Sequence, residues 1–469
     1  PNQGYDLFGL KIKFLTWENL LAPKTQENKN LDFLEDVNIS DINDDAFALQ
    51  LDSNQTELGL PTKSKVLSIA SATRLEQNDP AKIILGRFFE QLKNAASKKE
   101  KISIFHYGDS QIEGDRMTAF IRQRLQSEFG GAGPGLIPAI NVYNTISFGH
   151  AYSSNFERKI IFGKEKLYSN KYGAMLSAAT FTIDSLSDAE NRPTEAWIEL
   201  TPSTKGYSRC KAFTNISLFY NDCQDTCAVD VYVNGKLYQK DSLKMDGLPH
   251  KLYYKVKITP EKIKFVLRSK KSPIISGISL EGDIGVQMNN IAMRGSSGTQ
   301  FSSVDIESMS YMHKELNTKL VILQFGGNSI PFFKDSSAVR AYARRFKRQI
   351  QLIQKCTPNA AILVIGPSDM SQLQDGIYTT YPFIPYCIEQ MKIQTLLTGG
   401  SFWSLYNAMG GKDSMYAWVE NKLAGKDYIH FTPKGARKAS QLFYNAFINA
   451  YSAWDSQKIN NKKKEIINE

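Results

Sequence analysis

KISIFHYGDSQIEGDRM, residues 101–117, joins a short apolar stretch to a Gly-Asp-Ser turn. Residues 101–107 are predicted to form a buried strand, because apolar side chains fill the stretch and Gly108 ends it. Apolar residues then recur at helical spacing, at Met117, Phe120, Ile121 and Leu125. Ser110 is therefore expected in a strand-to-helix turn at the carboxyl end of a strand, where open α/β sheets place reactive groups.

A serine hydroxyl is a good nucleophile only when a neighbouring base takes its proton. The chain has five histidines, and His430 is the one with a carboxylate in its motif, at Asp427 three residues earlier. A carboxylate at this spacing can accept Nδ1–H and leave Nε2 to face the serine. Thr432 and Pro433 follow as a favourable N-cap and first residue of a helix. We therefore predict a triad of Ser110, His430 and Asp427.

Two other motifs offer hydrogen-bond donors for the oxyanion that forms during acyl transfer. Residues 319–325 are predicted to be a buried parallel strand, and Asn328 follows it at the same edge of the sheet. An apolar stretch beginning at Ile291 runs into a turn of small residues, in which the backbone N–H of Gly298 could approach a ligand. Gly295 is the alternative residue for this donor.

In order along the chain, these motifs resemble those of the SGNH (GDSL-like) hydrolase family: Gly108-Asp109-Ser110, Gly298, Gly327-Asn328 and Asp427 with His430. The resemblance implies that Ser110 is the nucleophile and one oxyanion donor. It also implies that Gly298 and Asn328 are the other two donors. Residues 108–117 and 129–135 most resemble the branch that contains peptidoglycan O-acetylesterases, whose catalytic fold is interrupted by a β-rich insert similar to carbohydrate-binding modules.

Two positions depart from the family pattern. Gln111 follows the serine where leucine is common, and Ser329 stands where an aspartate usually follows the asparagine. Neither departure removes a reacting group.

Side chains near the nucleophile are expected to support the reacting groups, and the candidates are Asp109, His106, Gln111 and Arg116. For His106, a hydrogen-bonded place in the core or behind the site is favoured over a reacting role. Glu113, Asp115 and Arg116 are expected to form a salt-bridged brace behind the serine, with a substrate contact from Arg116 as the alternative.

The implied fold is a flavodoxin-like three-layer α/β sandwich with a parallel sheet, interrupted by an inserted all-β domain of sandwich or jelly-roll type. Short β-prone stretches and a hairpin signal at Asn234-Gly235 support the insert. Tyr207 and Tyr253 are candidates there for stacking on sugars, although framework packing is favoured for either. The predicted segments are an N-terminal arm or linker (1–65), the first catalytic part (66–139), the insert (140–283), the second catalytic part (284–455) and a basic tail (456–469).

The charge distribution and the lack of long apolar runs argue against a nucleic-acid-binding or membrane-spanning protein. The net charge is +10 over 469 residues, but the basic residues are dispersed and no nucleic-acid-binding module accompanies them. No run of about 18 apolar residues exists, so no membrane span is expected.

Three of five cysteines cluster as Cys210, Cys223 and Cys227, which fits either a local Cys223 to Cys227 disulfide or reduced thiols. No cysteine and histidine set has the spacing of a metal site.

These observations predict a serine ester hydrolase without metal or cofactor that removes acetyl or other short acyl groups through an acyl-enzyme. The expected partner is an acylated polysaccharide or peptidoglycan-type glycan. The expected location is the periplasm, the cell envelope or the exterior, since a first residue Pro1 fits a removed signal peptide as well as a trimmed sequence. The alternatives are an SGNH-type polysaccharide O-acyltransferase and a glycan-binding protein whose esterase domain is inactive.

Overall fold

The structure is a computed structural model that describes residues 5–7, 10–12, 74–183 and 192–468. The predicted arm (1–65) lies mostly outside the described residues. Its described part is an antiparallel pair, β1 (Tyr5–Leu7) and β2 (Leu10–Ile12).

A five-stranded parallel sheet forms the centre of the catalytic domain, in the order β15-β3-β16-β17-β20. Its strands are β3 (Lys101–Gly108), β15 (Gly285–Ala292), β16 (Thr318–Gln324), β17 (Ala361–Ile365) and β20 (Ser401–Trp403). Gly108 pairs with Ala292 on one side and with Gln324 on the other. The carboxyl ends of the three strands that lead into the predicted motifs therefore meet at one edge.

Helices cover both faces of this sheet. They are α1 (Asp79–Asn94), α2 (Thr118–Phe129), α3 (Ile306–Glu315), α4 (Ser336–Cys356), α5 (Ile384–Leu396), α6 (Leu405–Met409), α7 (Ser414–Glu420) and α8 (Pro433–Asn468). Because side chains alternate along a strand, Ile104 packs into the core under α1, α2 and α8, while Phe105 packs into the core under α3, α4 and α5. The last helix continues through the segment predicted as a basic tail.

Two antiparallel sheets form a β-sandwich inserted between β3 and β15, in the orders β11-β10-β13-β8-β5 and β12-β9-β14-β7-β6, with β4 also paired to β14. Its strands are β4 (Gly135–Ile137), β5 (Phe148–Tyr152), β6 (Phe156–Ile160), β7 (Ser177–Phe181), β8 (Thr194–Pro202), β9 (Asn215–Asn221), β10 (Cys227–Val233), β11 (Lys236–Ser242), β12 (His250–Lys255), β13 (Ile263–Ser269) and β14 (Ile274–Glu281). The predicted fold class is confirmed.

A short hairpin, β18 (Ser371–Gln374) with β19 (Ile377–Thr380), projects beside the catalytic sheet. Among the described residues, every helix is too short or too polar to cross a bilayer.

The cysteines are buried free thiols, so the local disulfide considered for Cys223 and Cys227 is not formed. Cys223 Sγ lies 3.1 Å from the carbonyl oxygen of Asp225. The alternative of reduced thiols is the one observed.

Candidate active site

Ser110 opens a 3-10 helix, Ser110–Asp115, directly after β3. Gly108 is required at the end of the strand, because a Cβ there would lie 2.9 Å from the Ile112 side chain and 3.1 Å from the carbonyl oxygen of Gln324. Asp109 caps the turn by accepting the N–H of Gln111 at 3.0 Å. The tight packing fixes Ser110 at the carboxyl edge of the sheet.

The three predicted triad residues meet, although the chain places His430 320 positions after Ser110. Ser110 Oγ lies 2.8 Å from His430 Nε2, and His430 Nδ1 lies 2.7 Å from Asp427 Oδ2. In the tautomer that donates Nδ1–H to the carboxylate, Nε2 accepts the serine hydroxyl proton. This is the hydrogen-bond chain that activates a serine.

Asp427 also organises its own loop. Its Oδ1 accepts the N–H groups of Ile429 at 3.1 Å and His430 at 3.0 Å. Partial burial raises the pKa of Asp427, but the hydrogen bonds from the His430 ring and from these two N–H groups outweigh it, so the pKa lies below its ordinary value. The carboxylate therefore stays ionised in front of the imidazole.

The segment after His430 is anchored at the start of α8. Thr432 Oγ1 accepts the N–H of Gly435 at 3.2 Å and donates to the carbonyl of Lys422 at 2.8 Å. Phe431 is buried against Trp418, with ring centroids 5.0 Å apart. The helix start thus behaves as the Thr432-Pro433 pair predicts, and it limits the movement of the histidine.

Three of the four candidate supporting residues differ in their surroundings. Gln111 Nε2 donates to the carbonyl of Ile429 at 2.7 Å and so joins the nucleophile turn to the histidine loop. Asp109 is 5% exposed, and burial raises its pKa to about 6. His106 is fully buried between Gln324 Oε1 (3.0 Å) and Thr118 Oγ1 (2.9 Å), and burial lowers its pKa to about 4. His106 is therefore a neutral core residue, the favoured interpretation from sequence.

The expected brace of Glu113, Asp115 and Arg116 is wrong. Asp115 is buried and forms its ion pair with Arg122, with Nη1 at 2.5 Å and Nη2 at 3.2 Å, whereas Glu113 pairs with the exposed Arg294 at 3.4 Å. Arg116 donates instead to the carbonyl of Glu113 at 3.0 Å. The kink at Gly114, with φ of 68°, turns these side chains away from one another.

Asn328 lies where the sequence predicts, in the 3-10 helix Gly327–Phe332 after β16. It lines the cavity beside Ser110 and His430. Its Nδ2 donates to the carbonyl of Ser296 at 3.0 Å, which fixes the amide and leaves its second N–H. With the N–H of Ser110, which as the first residue of its helix has no partner within that helix, it forms a pair of donors near the nucleophile.

Gly298 follows β15 as predicted, and its role as an oxyanion donor stays a prediction. It is buried, and its N–H donates to Ser296 Oγ at 3.1 Å. A Cβ at this position would lie 2.5 Å from the Phe325 ring, so close packing explains the glycine. The alternative, Gly295, is exposed, and a Cβ there would have no atom within 4 Å.

Ser296 is a residue that the sequence reasoning missed. It is fully buried, its carbonyl holds Asn328, its hydroxyl oxygen accepts the Gly298 N–H, and its hydroxyl donates to Gln300 at 2.8 Å. A serine among small residues of a turn gives no sequence signal for this role.

A cavity of about 170 Å³ opens at the triad. Its polar lining includes Asp109, Ser110 and Asn328. Its apolar lining is made by Phe325, Pro331, Phe332, Pro367, Met370 and Ile429, of which Phe332 is 79% exposed. The cavity thus combines an apolar surface suited to a short acyl chain with hydroxyl and amide groups.

The two tyrosines proposed for sugar stacking differ in their surroundings. Tyr207 packs against Phe120 of the catalytic domain, with ring centroids 6.3 Å apart. Tyr253 lies half exposed on β12, with Lys251 Nζ 5.9 Å from its ring centroid. In the described part of the chain, no three His, Cys, Asp or Glu side chains are grouped as a metal site.

No family model and no curated protein sequence matches this chain. A solved peptidoglycan O-acetylesterase is similar, with a TM-score of 0.62 and 20% identity over 78% of this chain and 96% of the other. A family two carbohydrate esterase from Clostridium thermocellum matches 65% of this chain and 99% of its own, at 11% identity and a TM-score of 0.26. On the first match and the architecture described above, the chain has an SGNH-like fold, with a five-stranded parallel sheet between helices and an inserted β-sandwich.

Proposed function

We propose that this protein is a serine ester hydrolase that removes O-acetyl or similarly short acyl groups from a polysaccharide or cell-wall glycan. The observation that carries the proposal is the continuous hydrogen-bond chain from Ser110 Oγ through His430 to Asp427, at 2.8 and 2.7 Å. A serine, a histidine and an aspartate in this relation are the working parts of acyl transfer on unrelated folds.

In the proposed reaction, His430 Nε2 takes the Ser110 proton as Oγ attacks the ester carbonyl. Asp427 stabilises the imidazolium that forms, and the amide of Asn328 with the Ser110 N–H stabilises the oxyanion. The imidazolium then protonates the leaving sugar oxygen, which yields an acyl-enzyme. Water, deprotonated by His430, attacks this ester and releases the acid.

The glycan class is supported by two observations together. The chain shares its fold with a solved peptidoglycan O-acetylesterase over 78% of its length. Its catalytic domain also carries a β-sandwich, an architecture that suits carbohydrate binding by fold-level analogy. Since cell-wall glycans and most acetylated polysaccharides lie outside the cytoplasm, we place the enzyme in the periplasm, the cell envelope or the exterior.

The test is acetate release from an aryl acetate and from acetylated glycans by wild type and by Ser110→Ala. We expect the variant to lose nearly all turnover while keeping its fold. Ser302→Ala, at an exposed serine of the 3-10 helix Phe301–Ser303, is the matched control. Unchanged turnover in Ser110→Ala would end the proposal. If a supplied sugar acceptor becomes acetylated and no acetate is released, the protein is an acyltransferase and not a hydrolase.

A further inference from the structure

A second cavity, of about 60 Å³, lies at the other end of the nucleophile's 3-10 helix, between the catalytic sheet and the β-sandwich. Gly114 and Asp115 reach it from the nucleophile's own 3-10 helix, and Asn290 and Ala292 reach it from the end of β15. The sandwich contributes residues of β4, β5, β6 and β7. A ligand in this cavity therefore touches the same short helix that begins with Ser110.

Arg158 on β6 is the unusual residue of this cavity. Its side chain is partly buried, its Nε is fully enclosed, and no described residue makes a hydrogen bond or ion pair with it. Burial lowers the pKa of Arg158, and the nearby Tyr143 offsets this only in part. Enclosing a guanidinium without a counter-charge is unfavourable. A bound anion supplies the missing counter-charge and stabilises the guanidinium in this place.

The other charges of the lining do not neutralise Arg158. Asp115 is already held by both terminal nitrogens of Arg122 and by the Ser147 hydroxyl. Asp115 is the acidic residue of the lining, against two arginines, so the wall carries a surplus positive charge. Ser177 shares a face with Arg158 because their strands pair antiparallel at Arg158 with Ala179 and Ile160 with Ser177. It adds a hydroxyl to the lining of the same cavity.

We propose that Arg158 binds a carboxylate carried by a sugar in this cavity, so that the glycan lies across the nucleophile turn between the two cavities. The planar guanidinium can hold a carboxylate with two parallel hydrogen bonds. This proposal rests on the proposed function for its glycan, and it names the substrate class as an anionic one. The carboxylate belongs either to a lactyl ether, as in N-acetylmuramic acid, or to a uronic acid.

Calorimetric binding to the unaltered protein tests the proposal without any turnover. The probes are the disaccharide of N-acetylglucosamine with N-acetylmuramic acid, a disaccharide of N-acetylglucosamine with glucuronic acid, and neutral chitobiose. We expect at least one anionic disaccharide to bind roughly tenfold to a hundredfold more tightly than chitobiose, because hydrogen bonds to charged groups are the strong ones. The preferred disaccharide identifies the source of the carboxylate.

Three further measurements test whether the preference for an anionic disaccharide depends on the charge of Arg158. Arg158→Gln should remove the preference for the anionic probe, and Arg158→Lys should restore it only in part. Lys159→Gln is the matched control, since Lys159 follows on the same strand, faces the other way and pairs with Glu157 and Glu165. The methyl ester of the preferred probe should bind wild type no better than chitobiose does, which tests the charge even if an Arg158 variant misfolds.

Equal binding of the anionic and neutral disaccharides would overturn this proposal, as would a preference that survives Arg158→Gln. Either result would leave the esterase proposal standing, because no probe is acetylated on oxygen. Loss of aryl acetate turnover in Ser110→Ala, in contrast, concerns the triad alone.

Discussion

The side-chain nitrogen of Gln111 donates to the carbonyl oxygen of Ile429 at 2.7 Å, so the residue after the nucleophile holds the residue before the histidine. The bond crosses 318 positions of the chain. It joins the two loops whose relative position sets the distance between Ser110 and His430.

Replacing Gln111 with leucine should therefore weaken catalysis more than binding. We expect Gln111→Leu to lower kcat roughly tenfold with little change in KM, since one lost hydrogen bond is worth about 0.5–1.5 kcal/mol. Steady-state kinetics on an aryl acetate measures both constants. Gln354→Leu is the control, because Gln354 makes an equivalent bond to the Thr398 carbonyl at 2.9 Å on α4, and it should leave kcat unchanged. Equal losses of kcat in the two variants would contradict a positioning role.

Asp427→Asn should abolish most activity while the loop stays in place. The amide oxygen can still accept the two backbone N–H bonds, but an amide facing Nδ1 no longer favours the tautomer that leaves Nε2 free. We expect kcat to fall by roughly 10³–10⁴. Asp335→Asn, which changes the N-cap of α4, serves as a control and should keep wild-type kcat. A loss below tenfold in Asp427→Asn would show that the carboxylate does not orient the histidine.

Asp109→Asn should stabilise the protein above pH 6 and not below pH 4. Burial raises the pKa of Asp109 from 3.8 to about 6, so the folded state keeps a proton that the unfolded chain loses as pH rises through this window. Stability then falls between about pH 4 and 6, by roughly 3 kcal/mol at most. Urea unfolding of wild type and variant from pH 4 to 8 measures the difference, with Asp79→Asn on the surface of α1 as control. A pH-independent difference would refute the raised pKa.

Gly298→Ala and Gly295→Ala separate packing from backbone strain. Both glycines have left-handed φ, 74° and 79°, so both variants carry similar strain. Only at position 298 does the new methyl meet the Phe325 ring. We expect Gly298→Ala to lose about 1–3 kcal/mol more in urea unfolding than Gly295→Ala. Equal losses would mean that Phe325 moves aside without cost.

Much of the site was accessible from local patterns. The strand 101–107, the turn at Ser110 and the helix start after Thr432 follow from hydrophobic spacing, glycine and capping residues, all of which act within a few positions. The three-residue spacing of Asp427 and His430 also predicts their contact, since a turn of the backbone is enough to form it.

Contacts between residues that are far apart in the sequence could not be predicted from local patterns. The expected brace at Glu113, Asp115 and Arg116 failed because Gly114 kinks the helix and because Arg122, one turn into α2, competes for Asp115. Gly298 was expected to face a ligand, and its contact with Phe325 depends on how β15 and β16 flank β3. Ser296 gave no signal, since its partners Asn328, Gly298 and Gln300 meet only around a folded turn.

The sequence by itself determined the order of the motifs, the α/β pattern with its β-rich interruption, and the chemistry of each reacting group, because these depend on residue type and near neighbours. Tertiary structure alone decided which donors lie near the serine, which carboxylate pairs with which arginine, and that no residue in the described part of the chain pairs with the Arg158 side chain. Those outcomes depend on strand order and on the contact between two domains, where packing brings together residues that share no local pattern.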